Sequence, residues 1–190
     1  LKDLQPLVYQ QFVTILEQGR LAHAYLFSGD FASFEMALFL SQALFCQEKV
    51  GVLPCGKCRS CRLIESNDFS DVTIVAPQGN FIKTDTIREL VKNFSQSGFE
   101  SSQQVFIIRD AEKMHVNAAN SLLKVIEEPQ STIHIFLLTN QEEAVLPTIK
   151  SRTQIISFPQ NLPYLERILE EEGLLKTQAS LIARLVSSQE

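Results

Sequence analysis

All four cysteines of the chain fall within a short stretch, spaced Cys46-x8-Cys55-x2-Cys58-x2-Cys61. Four thiolates can close a tetrahedral zinc shell, and two-residue gaps let successive sulfurs face one ion. Pro54 and Gly56 suit the tight loop that would present them. In a reducing compartment such a cluster reads as a metal site before it reads as disulfides. A catalytic zinc keeps an open position or a nearby His, and none of the three His is close in sequence. The expectation is therefore a structural zinc site on Cys46, Cys55, Cys58 and Cys61. The plain alternative is four buried or free thiols.

A second candidate is the turn Ser28-Gly29-Asp30-Phe31-Ala32-Ser33-Phe34-Glu35, between an apolar run and a helical one. A phosphate-binding loop belongs in that place. It needs glycines for close backbone approach, a Lys on the phosphates and a Ser or Thr on magnesium. This turn has one Gly, and after Arg20 no Lys or Arg occurs before Lys49. Asp30 and Glu35 would repel a phosphate. Alone it is an ordinary strand-to-helix turn; only its neighbours make it a degraded nucleotide loop, with Gly29, Ser33 and Phe34 at the vestigial positions.

Two further charged groups end apolar runs. In Ile108-Arg109-Asp110-Ala111-Glu112, Arg109 falls where a nucleotide hydrolase places its metal-binding Asp, and Asp110 where it places the Glu that orients water. A guanidinium has no lone pair for magnesium. A solvated strand end explains the same charges. Ser151-Arg152 follows Pro147-Thr148-Ile149-Lys150; an Arg there either reaches outward to a phosphate or is a surface charge.

The elements that must position these groups alternate. Helical spacing of Val8, Phe12, Ile15 and Leu16 predicts a helix over Val8–Gln18. A buried strand follows at Ala24–Phe27, then a helix over Ser33–Phe45 and the cysteine insert at about 46–61. Strands are predicted at Asp71–Val75, Val105–Ile108, Ile133–Leu138 and Thr153–Phe158. Helices are predicted at Ile87–Phe94 and Val116–Glu128, the latter stopped by Pro129. The alternation predicts an α/β fold, a parallel five-stranded sheet with helices on both faces. After Pro159–Pro163 only helix remains, over Leu165–Val186. The expected organisation is a nucleotide-binding-type domain at 1–160 and the start of a truncated helical domain at 161–190.

Composition limits the function classes. At 45% hydrophobic and 21% charged the chain reads as an ordinary globular protein. No apolar run is long enough to span a membrane. The N-terminal Leu1-Lys2-Asp3-Leu4-Gln5-Pro6 has no signal-peptide pattern and no initiator Met, so the expectation is a trimmed, cytoplasmic chain. The net charge of −5 argues against DNA contact as the main energy source, since each phosphate contact needs a cation.

Taken together, Leu21-Ala22-His23-Ala24-Tyr25-Leu26-Phe27, the four-cysteine insert, Asn120-Ser121-Leu122-Leu123-Lys124-Val125-Ile126-Glu127-Glu128-Pro129 and Thr148-Ile149-Lys150-Ser151-Arg152-Thr153 resemble the AAA+ clamp-loader family of bacterial DNA polymerase III. The resemblance runs nearly the whole chain in the family's order. The family has ATP-hydrolysing gamma/tau subunits and a non-hydrolysing delta-prime branch, and both carry the zinc insert. A phosphate loop without Lys, with Arg109 at the metal position, resembles the delta-prime branch. The resemblance implies an AAA+ P-loop-type fold with a zinc-binding insert and an all-α lid. It implies no intrinsic ATPase and no tightly bound ATP or Mg2+. It also implies a place in a hetero-pentameric ring with gamma/tau and delta, which loads the sliding clamp on primed DNA. The family's Ser-Arg pair points at ATP held by the adjacent subunit, so Arg152, with Ser151, is implied to be a trans arginine finger. Thr153 stands where the family motif has Cys.

Two rival readings remain: an active gamma/tau-type ATPase, which would bind nucleotide, and a zinc-module nucleic-acid binder, for which Lys57, Arg59 and Arg62 are the only dense positive patch.

Overall fold

The structure, a computed structural model, describes residues 1–95, 103–128 and 132–187. Pro129, the predicted stop of a helix, lies outside the described residues, as do the last three residues of the expected lid, 188–190.

The first helix, α1, spans Pro6–Glu17. It starts earlier than the apolar spacing alone indicates, because Pro6 occupies its first turn, where a missing N–H costs nothing. Strand β1, Ala24–Ser28, leads into α2, Ser33–Phe45. The insert then contains a helix that periodicity does not announce, α3 at Arg59–Glu65. Strand β2 is Val72–Val75, α4 is Thr84–Ser95 and β3 is Gln103–Ile108. Helix α5 is Val116–Glu127 and β4 is Thr132–Thr139. A short helix, α6 at Pro147–Lys150, precedes β5 at Gln154–Ser157. The helical tail is two helices, α7 at Leu162–Glu171 and α8 at Lys176–Ser187. Apolar spacing carries one helix through this region, but Gly173 at φ 100° breaks it, as glycine does just past a helix end.

The five strands form one parallel sheet in the order β2-β3-β4-β1-β5. The expectation of a five-stranded parallel sheet is borne out. Alternation along each strand divides the core. Ala24, Leu26, Phe106, Ile108, Ile133, Ile135 and Leu137 face one side, where they meet Ile87, Leu90, Leu122 and Ile126 of α4 and α5. Tyr25, Phe27, Val105, Ile107, Phe136 and Leu138 face the other, against Val8, Phe12, Met36, Leu40 and Ile64 of α1, α2 and α3. On that second face Phe27 packs on Phe158 with ring centroids 4.7 Å apart, and on Phe12 at 5.6 Å. Offset and edge contacts of this kind add to plain area burial.

Candidate functional site

In an open parallel sheet the loops at the carboxyl ends of the strands build the binding crevice. Here the ends of β1, β3 and β4 enclose a cavity of about 180 Å³ lined by Gly29, Asp30, Ser33, Phe34, Arg109, Asp110, Leu138, Thr139 and Asn140. All five positions singled out from the sequence, Gly29, Ser33, Phe34, Arg109 and Asp110, therefore meet at one place. Thr139 and Asn140 complete the lining, and only the pairing of β4 beside β1 and β3 reveals them.

The loop after β1 is closed on itself. The Ser33 backbone N–H and hydroxyl both donate to the Asp30 carbonyl, each at 3.4 Å, and the side chain is buried. Gly29, at φ 105°, passes so close to β5 that an added Cβ would lie 2.3 Å from the Phe158 carbonyl oxygen. Its glycine character thus serves strand packing. The Arg109 guanidinium lies 5.0 Å from the centroid of the Phe34 ring, a cation–π contact across the cavity. Asp110, in the left-handed region at φ 51°, pairs with Lys113 at 3.4 Å. The lining thus holds one cation against the carboxylates of Asp30 and Asp110. Glu35 is exposed in the first turn of α2 and does not line the cavity; there its charge meets the positive end of the helix dipole. Behind the cavity the Thr139 hydroxyl donates to Glu112 at 2.6 Å.

A buried strap holds this loop from the other side. Gln5, 4% exposed, donates from Nε2 to the Phe31 carbonyl at 2.9 Å and to the Pro159 carbonyl at 2.7 Å. Asn161 donates to the Asp3 and Leu4 carbonyls at 3.1 and 3.0 Å, and its side-chain oxygen caps α7 by accepting from the Tyr164 N–H. Phe31 meets the Tyr164 ring edge-on at 6.5 Å. The N-terminal segment, the loop after β1 and the first helix of the tail are therefore joined by side-chain hydrogen bonds and a ring contact.

The cysteines converge as their spacing predicts. Their four Sγ atoms all lie within 4.8 Å of one another. A tetrahedron of Zn–S bonds of about 2.3 Å puts sulfurs roughly 3.8 Å apart, so small side-chain rotations close the shell. Cys46 ends α2, Cys58 caps α3, and Cys61 lies fully buried within α3. The backbone N–H groups of Cys55 and Cys58 donate to the sulfurs of Cys46 and Cys55 at 3.3 and 3.2 Å. Such donors disperse thiolate charge. The backbone at Cys61, together with neighbouring donors, pulls the Cys58 thiol down to about 6, whereas burial pushes Cys61 up to about 12. Four clustered thiols with N–H···S support fit one metal ion held by Cys46, Cys55, Cys58 and Cys61.

Arg152 lies elsewhere, in the turn between α6 and β5. Its Nε donates to a carboxylate oxygen of Glu127, at the end of α5. Its Nη1 donates to the Thr148 carbonyl and to Ser151 Oγ, both at 3.3 Å. Ser151 itself donates to the Thr148 carbonyl at 3.1 Å. Thr153 returns its hydroxyl to the Ile149 carbonyl at 3.0 Å, so it closes the turn. Arg152 does not line the cavity of its own chain.

The family model described as DNA polymerase III, delta subunit, matches residues 4–161. The chain belongs to this family of DNA polymerase III subunits, in its delta-prime branch. It is 38% identical over 191 residues to the DNA polymerase III subunit delta' of Bacillus subtilis, covering 99% of this chain and 58% of that protein. The gamma/tau subunit of Mycobacterium tuberculosis is 34% identical over 86% of this chain and 30% of its own length. A gamma subunit-related protein of Thermotoga maritima shares the fold, with a TM-score of 0.58 at 24% identity over 91% of this chain and 57% of that one. The sheet is thus of the AAA+ type. The chain spans about half the length, or less, of the relatives it matches. No helix among the described residues is long and apolar enough to cross a membrane.

Proposed function

We propose that this chain is the core of a clamp-loader delta-prime subunit that neither binds ATP tightly nor hydrolyses it. In this reading it works in the cytoplasm, in a ring with gamma/tau and delta subunits, helping to load the sliding clamp on primed DNA. Residues 1–160 act as the AAA+-type domain and 161–190 as the beginning of its lid. One ion on Cys46, Cys55, Cys58 and Cys61, zinc by the chemistry of an all-thiolate set, knits the insert. Arg152 acts in trans on ATP held by the neighbouring subunit.

The observation that carries the reading is the crevice itself. A triphosphate needs cations and free backbone N–H groups. The vestigial loop turns Ser33 inward, holds Arg109 on Phe34 and presents two carboxylates. Magnesium would meet Arg109 where it needs an oxygen ligand. The similarity to gamma/tau subunits favours the rival ATPase reading, and one measurement separates the two. Calorimetric titration of the full-length subunit with ATP and magnesium is expected to give no binding in the micromolar range. Ser33→Lys is expected to leave hydrolysis absent, because Arg109 remains at the metal position. Micromolar affinity in the parent protein would establish the ATPase reading instead.

A further inference from the structure

Arg152 is held by three groups of its own chain, and the principal one comes from a distant element. Glu127 ends α5, 25 residues before Arg152, and meets it because α5 packs beside α6. The guanidinium is a planar fork with five donors. Its Nε is engaged by Glu127, and its Nη1 by Thr148 and Ser151. Nη2 has no partner among the described residues. The side chain is 39% exposed and that of Glu127 48%, so the pair sits at the surface with Nη2 the uncommitted nitrogen of the fork.

We propose that Glu127 is a positioning residue for Arg152: it anchors the guanidinium through Nε so that Nη2 is presented to a phosphate oxygen of a neighbouring subunit. This rests on the reading of Arg152 as a trans finger. A free arginine side chain loses rotamer entropy when it is ordered. Anchoring it within its own chain removes part of that cost from the encounter with ATP, which is how preorganised groups gain in the transition state. Glu127 also has a local reason to be paired. It stands with Glu128 at the negative end of α5's dipole, and Arg152 relieves that repulsion. A purely local role predicts an effect on stability alone; positioning predicts an effect on the partner's turnover that needs Arg152.

The test is a double-mutant cycle in the loader reconstituted from full-length subunits with its ATPase partners, read as DNA-stimulated ATP turnover. Glu127→Gln keeps the shape and removes the charge. It is expected to lower kcat about three- to ten-fold, the range of one ordinary hydrogen bond at a half-exposed site, with KM for ATP unchanged. Arg152→Ala is expected to lower kcat further, and the double variant to match Arg152→Ala. Unchanged turnover in Arg152→Ala sinks the finger reading, and this proposal with it. A loss in Arg152→Ala beside unchanged or raised turnover in Glu127→Gln leaves the finger and overturns the anchor. A Glu127→Gln effect that persists in the Arg152→Ala background also overturns it, since Glu127 would then act by another route. Thermal unfolding of each variant checks that the fold is retained.

Discussion

A single buried amide, that of Gln5, ties the loop after β1 to the chain beyond β5. Gln5 bonds Phe31, 26 residues on, and Pro159, 154 residues on. Gln5→Ala leaves two carbonyls without this donor in a part-buried place. The expected cost is about 1–3 kcal/mol, a fall in Tm of roughly 2–10 °C for a domain of this size. Differential scanning calorimetry checks it, and a melting temperature within a degree of the parent would show that the strap is dispensable. Arg109 contributes at the same scale. Its stack on Phe34 turns the crevice's one cation into a packing element.

At the scale of elements, the insert and the sheet share a helix. Cys61 belongs to the sulfur cluster, while Ile64, one turn on, lies fully buried in the sheet's second core face. Gln42 of α2 adds a bond to the Cys61 carbonyl at 3.0 Å. Removing the metal is therefore expected to loosen the loop from Cys46 to Cys58 while Ile64 keeps α3 docked and the sheet folded. Hydrogen exchange after chelator treatment reads this directly. Protection should fall in the insert and persist in β1, β3 and β4. Global loss of protection would mean that the cluster supports the whole fold, and absence of metal from reduced protein purified without chelator would remove the site altogether. Structural zinc sites in isolated small modules contribute about 10–16 kcal/mol of apparent binding energy; here the two-faced apolar core exists without it.

At the scale of the whole molecule, one buried histidine links the fold to pH. His134 of β4 places Nδ1 3.0 Å from the Ala22 carbonyl, so Nδ1 carries the proton in the neutral ring. Burial holds its pKa below the usual value, and His23 adds to the depression, partly offset by the Ala22 bond. Lys49 shares the cavity it lines. The folded state thus disfavours the imidazolium, and the unfolded chain binds more protons below about pH 6.5. The contribution is complete above that value and is lost as pH falls through the lower folded value. Urea midpoints are expected to drop between pH 7.5 and pH 5.5, and His134→Gln, which can still donate to Ala22, is expected to narrow the drop. An equal drop in the variant would assign the acid sensitivity to other groups.

Much of this protein follows from neighbours along the chain. The alternation of apolar runs with helical spacing yields a parallel α/β sheet, because periods of 2 and 3.6 residues are local properties. The cysteine spacing yields one metal-sized cluster for the same reason. Even the break at Gly173 carries a local signal, a glycine after a helical run of glutamates. What the chain does with its charges is decided in three dimensions. The strand order places β1 between β4 and β5, and this brings Thr139 to the loop of Ser33 and Phe158 against Gly29. Arg109 reaches Phe34, Gln5 reaches Pro159 and Glu127 reaches Arg152 only through that packing. Each is a single contact between residues far apart in sequence, with no periodicity to announce it, and its partner is set by which elements the core has stacked together.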